Sequence, residues 1–114
     1  MVIDEGVKKS LDSLIDSIKA TKDYIDYDSL RKTIKDNPEL VGKIERAKEI
    51  RKQLSLLGEY DRNGELGDRL SDEFEEITED TKVNNYIKAE LRICTILQEM
   101  LKQVVETVDV NLGE

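Results

Sequence analysis

Cys94 is the only cysteine in a 114-residue chain that has no histidine. Those two facts bear directly on what chemistry the chain can do. Histidine is the commonest general base near neutral pH and the usual neutral metal ligand. Without one, the Cys94 thiol lacks an obvious activator. It also falls in the middle of a helical pattern, not at a helix N-terminus, where thiol pKa values drop. Cys94 therefore reads as a small buried hydrophobe. The functional alternative, a cluster or metal ligand shared across a symmetric oligomer, would rest on one thiolate per chain. The stretch "SDEFEEITED" (residues 71–80) is the other candidate, because Glu73 with Glu76, and Glu75 with Glu79, share helix faces. Di-iron bundles, however, project Glu-x-x-His motifs inward. Here Leu70, Phe74 and Ile77 already take the inward stripe. The acids read as a solvated face, and no catalytic, cofactor-binding or metal-ligating residue is expected. "NGELG" (residues 63–67) lacks both the spacing and the lysine of a phosphate-binding loop.

Charge is distributed unevenly. The chain carries −8 overall, and residues 65–80 alone hold eight acids against Arg69. Residues 43–52 reverse the sign, with Lys43, Arg46, Lys48, Arg51 and Lys52 against Glu45 and Glu49. The two segments flank Asn63–Gly64, so they read as arms of an antiparallel hairpin whose charges pair. Each exposed pair of this kind contributes under about 1 kcal/mol. Direct nucleic-acid binding needs a basic field, and a chain with a pI near 4.7 has the opposite. Only the 43–52 stripe could contact phosphate.

Several helices must position these residues. Charged residues make up 39% and aromatics 4% of the chain, which is typical of helical bundles. One domain, residues 1–114, fits the length. Val7, Leu11, Leu14, Ile15 and Ile18 mark one helix at about 3–20. Thr21 can cap a second at 22–35, carrying Tyr24, Tyr27, Leu30 and Ile34; a full break and a bend remain open alternatives there. Asn37 and Pro38 suit the N-cap and first position of a third helix, striped by Leu40, Ile44, Ala47, Leu54 and Leu57 and broadened by Val41 and Ile50, running to about residue 60. Leu66, Leu70, Phe74 and Ile77 mark a fourth at about 65–79. Asp80 and Thr81 are candidate caps for a last helix reaching about residue 109, with "NLGE" expected to fray. No β alternation occurs. The expectation is an all-α fold of about five helices, an antiparallel bundle with a long C-terminal helix.

The last helix is too apolar for one face. Between Tyr86 and Val108, 13 of 23 residues are apolar. Ile87, Leu91, Cys94, Leu101, Val105 and Val108 form one seam. Tyr86, Ile93, Leu97, Met100 and Val104 form its neighbour. Each leucine-sized side chain left in water forgoes roughly 1.5–3 kcal/mol of burial. Four short amphipathic segments cover one seam well. The second, from Tyr86 to Val104, is expected to be an oligomer or partner interface.

Two stretches carry a family likeness. "DTKVNNYIKAELRICTILQEM" resembles the C-terminal half of the YlbF/YmcA family of small bacterial helical regulators, and "YIDYDSLRKTIKDNPELVGKI" resembles its N-terminal half. The resemblance covers about residues 7–110 and consists of helix punctuation and core pattern. It implies an all-α fold, self-association or assembly with family paralogues, and a non-catalytic adaptor role that modulates RNA processing by an RNase Y-type endoribonuclease. Some family members bind iron–sulfur clusters through several cysteines; this chain keeps only Cys94, so no cofactor is carried over. The alternative is a structural or chaperone-like helical oligomer subunit without a role in RNA processing. The first residues, "MVIDEGVKKS", have no apolar signal core, and no window reaches the ~18 apolar residues of a membrane span. With one cysteine, the expected setting is the reducing cytoplasm, without membrane insertion.

Overall fold

The computed structural model describes residues 2–109. It contains six helices: α1 (Glu5–Lys19), α2 (Lys22–Ile34), α3 (Pro38–Leu56), α4 (Glu59–Arg62), α5 (Glu65–Thr78) and α6 (Thr81–Val108). Among the described residues there is no strand. The expected fraying of "NLGE" lies outside them.

Side-chain caps account for most of the helix starts. Asp4, placed by its periodicity merely off the apolar face, accepts from the Gly6 N–H at 2.8 Å and the Val7 N–H at 3.3 Å and so starts α1. Thr21 decides the question of break or bend. Its hydroxyl donates back to the Ile18 carbonyl at 2.7 Å and accepts from the Tyr24 N–H at 3.2 Å, which ends α1 and caps α2 as separate helices. Asn37 accepts from the Leu40 N–H at 3.2 Å, with Pro38 at the first helical position, as the sequence reading expects. Asp80 caps α6 through the Lys82 N–H at 3.0 Å. Asp109, with φ of 62°, ends α6 in the left-handed region that aspartate tolerates better than most residues.

The third helix is shorter than the apolar stripe suggests. It ends at Leu56, because Leu57 turns extended (ψ 141°) before Gly58 opens the extra helix α4. Leu57 and Gly58 are both extended, which breaks what periodicity alone reads as one element.

The chain divides into two compact units. The first is built from the chain up to Ser29 and from Ala89 onward; the second is Leu30–Lys88. The second holds most of the core: Ile34, Leu40, Ile44, Ala47, Ile50, Leu70, Val83, Tyr86 and Ile87 are all buried, with Ile50 and Val83 fully enclosed. Within it α3 and α5 run antiparallel, since Lys43 pairs with Asp80 while Arg46 pairs with Glu73. At the corner between α4 and α5, Gly67 is buried directly against the Arg62 backbone.

Candidate interaction surface

The charge complementarity read from the sequence takes a definite geometry in the second unit. Arg46 forks onto Glu73, with Nε 2.6 Å from one carboxylate oxygen and the terminal nitrogen 2.7 Å from the other. That bidentate arrangement is the strongest form of the pair. Lys43 Nζ lies 3.1 Å from Asp80 and 3.7 Å from Glu39. Asp80 thus serves twice, as helix cap and as ion-pair partner. The Arg46 hydrogen bonds hold the Glu73 carboxyl below its ordinary range, and the Lys43 hydrogen bond does the same for Asp80. Lys43 and Arg46, two of the five basic residues of the only stripe that could contact phosphate, are turned onto carboxylates instead.

The sign of the pH dependence follows from those shifts. Glu73 and Asp80 have depressed folded values, so their contribution is present above the ordinary carboxylate values of 4.5 and 3.8 and is lost as pH falls through the folded ones. The Lys43 value is raised, so its side of the pair persists below 10.5 and fails only in strong alkali. Arg46→Gln should therefore lower the urea midpoint at neutral pH, and the gap to the parent should narrow as pH falls below 4.5 and Glu73 becomes protonated. An unchanged gap at acid pH would show that Arg46 acts through packing of its stem and not through Glu73.

The first unit presents a different surface. α1 has no buried residue, although Val7, Leu11, Leu14 and Ile15 lie along one face; Ile18 alone is half-buried. In α6, Val83, Tyr86, Ile87, Ala89 and Ile93 are buried, yet from Cys94 to Asp109 no residue is. Leu97 is 46% exposed, Leu101 58% and Val104 56%.

The residues expected at the interface differ in exposure within the single chain. Of its five residues, Tyr86 and Ile93 are buried in the folded chain and Met100 is half-buried, while Leu97 and Val104 stay exposed. Leu91, Leu101 and Val108, which the periodicity assigns to the other seam, are exposed as well. The excess apolar surface is thus partitioned along the helix and not around it. The early turns of α6 enter the core, and the later turns show both seams to water. Cys94 is exposed, which corrects its reading as a buried hydrophobe: it lies just past the last buried turn. Periodicity could not have found this division, because the two seams continue unchanged through it.

Other features of the first unit are modest. Arg92 Nε lies 3.7 Å from Asp23, an exposed pair of small energetic weight. Tyr24 and Tyr27 stack at a tilt, with ring centroids 6.2 Å apart. Among the described residues no three His, Cys, Asp or Glu side chains come together in a way that could hold a metal ion, and no helix is long and apolar enough to cross a membrane.

No curated protein and no solved structure matches the chain. A family model does, over residues 7–109, nearly the whole chain; it is described as "Control of competence regulator ComK, YlbF/YmcA". That span runs from the first apolar residue of the α1 face to the residue that ends α6, and so includes both the paired-charge hairpin and the exposed apolar turns. The all-α order of helices agrees with this match, which leads to one conclusion: the chain belongs to the YlbF/YmcA family of regulators.

Proposed function

We propose that this protein is a non-catalytic regulatory adaptor that acts through protein–protein contacts, and that it is itself a homo-oligomer, at least a dimer. The observation that carries the reading is the run from Cys94 to Val108, where no side chain is buried although both apolar seams continue. The unpartnered face of α1 belongs to the same unit. Exposed apolar surface of this extent on a small chain marks a site of association. The interface is accordingly Leu97, Met100 and Val104 from the expected seam, joined by Leu101 and Val108, with Tyr86 and Ile93 supporting it from within the chain.

The regulatory description of the family supports the adaptor role. The pathway we assign is RNA processing by an RNase Y-type endoribonuclease, reached through a second copy of the chain or a family paralogue. A reducing cytoplasm suits an exposed lone thiol in such a protein. The test is capture from the native host. A tagged chain should retain an RNase Y-type endoribonuclease or a paralogue, and a chain carrying Leu101→Glu should lose it. Recovery of many unrelated unfolded clients, equally with both chains, would favour the chaperone-like alternative instead.

A further inference from the structure

Asn63 and Gly64 join α4 to α5 in the second unit and take no part in the surfaces described above. Together they bring a reactive pair of atoms into sequence. The backbone nitrogen of the residue after an asparagine can attack the side-chain Cγ, and glycine leaves that nitrogen unshielded because it has no Cβ. Asn63 is exposed, and its side-chain amide makes no hydrogen bond among the described residues. The other described asparagines are protected. Pro38 follows Asn37 and has no N–H to lose, and Asn37 is itself held as the cap of α3. Asn84 and Asn85 lie inside α6, where the helix ladder holds the N–H groups that follow them.

The folded turn holds the reacting atoms apart. Ring closure needs the Asn63 Cβ and the Gly64 nitrogen eclipsed about the Asn63 Cα–C bond. At a ψ of 2° the Asn63 nitrogen is eclipsed there instead, and the Cβ is rotated away. The Gly64 N–H also donates to the Asp61 carbonyl at 3.3 Å. Rotating Asn63 breaks that bond and displaces Gly64, whose carbonyl accepts the Asp68 N–H at 3.0 Å in the first turn of α5. Three residues on, Gly67 is buried against the Arg62 backbone. Reaction therefore waits on opening of the α4–α5 corner and not on exposure alone. We propose that Asn63 is a deamidation site gated by this corner. When the corner opens, the Gly64 nitrogen gives its proton to solvent hydroxide and bonds to the Asn63 Cγ. The bond from Cγ to the side-chain nitrogen breaks, that nitrogen takes up a proton from water, and ammonia leaves a five-membered imide. Water then opens the ring at either carbonyl, to aspartate or to isoaspartate, with no change of oxidation state. Both products add a carboxylate. Isoaspartate also lengthens the backbone by one atom just ahead of Gly67, so the corner closes less well than before.

The experiment incubates the full chain in warm, mildly alkaline buffer beside a synthetic peptide of residues 59–68, and follows both by peptide mapping with mass spectrometry. Asn63 should convert before Asn37, Asn84 or Asn85. Its rate in the folded chain should be at least about tenfold below that in the peptide, because only the open corner reacts. Gly67→Ala, which forces the corner apart, should raise the rate in the full chain. Urea below the unfolding midpoint should do the same for the parent, which keeps the test valid if that variant does not fold. Asn63→Gln, whose ring would need one more atom, should stay unmodified over the same period. Equal rates in chain and peptide would overturn the gate, as would a rate that neither Gly67→Ala nor urea moves. No conversion at Asn63 in the urea-loosened chain, with the peptide fully converted, would overturn the site itself.

Discussion

Gly67→Ala should destabilise the protein by about 3 kcal/mol, the upper part of the range for overpacking, and lower its melting temperature by about 10 °C. The expectation runs against helix propensity. Gly67 lies inside α5, where alanine is normally better than glycine by about 1 kcal/mol. Tertiary contact decides the sign. A Cβ at this position would collide with the carbonyl oxygen of Arg62 and approach the Arg62 Cα to 2.9 Å. These are backbone atoms of α4, so no rotamer change relieves the clash, and the α4–α5 corner must open. Gly42 is the internal control. It sits in α3 with nothing within 4 Å of an added Cβ, so Gly42→Ala should stabilise by about 0.5–1 kcal/mol. Urea and thermal denaturation followed by circular dichroism would check both. A Gly67→Ala protein as stable as its parent would show that α4 does not pack against α5 in solution.

Leu97→Glu should convert an oligomer to a monomer, weakening association by at least about a hundredfold, because a carboxylate buried without a partner costs several kcal/mol. Leu97 is the right position for a structural reason. It is 46% exposed in the folded chain, so glutamate there leaves the core of the chain largely intact, whereas the same change at Ile93, 9% exposed, would damage core and interface together. Light scattering at micromolar concentration should show a parent of at least dimeric mass, and the variant should be monomeric with unchanged helicity. Cys94 supplies a second readout. It lies one turn before Leu97 and is exposed in the single chain, so a thiol reagent should modify it slowly in the oligomer and rapidly in the variant. A parent that is monomeric at 100 μM, with Cys94 reacting at full rate, would rule the interface out.

Much of this molecule was legible before folding was considered. Asn37–Pro38, Thr21 and Asp80 mark helix starts because capping is a local event, satisfied by side chains two or three residues from the orphan N–H groups they serve. Opposite charge on residues 43–52 and 65–80 indicated a hairpin, and the two arms do pair. The break at Leu57–Gly58 was less legible, since the apolar stripe continues across it and a single glycine does not by itself end a helix.

By itself the sequence determined the all-α class, the helix boundaries set by caps, the sign of each charged segment and the surplus of apolar residues in the last helix. Each of these depends on neighbours within a few positions or on totals along the chain. Only the tertiary structure decided which residues meet. It set the register that brings Arg46 to Glu73 and Lys43 to Asp80, and it made Gly67 a point of close approach and not just a flexible turn residue. It also divided α6 lengthwise, with Ile93 buried and Cys94, Leu97 and Leu101 in water. The physical reason is that a period of 3.6 residues reports which face of a helix is apolar, turn after turn. It carries no information on how far along its length the rest of the chain reaches to cover that face.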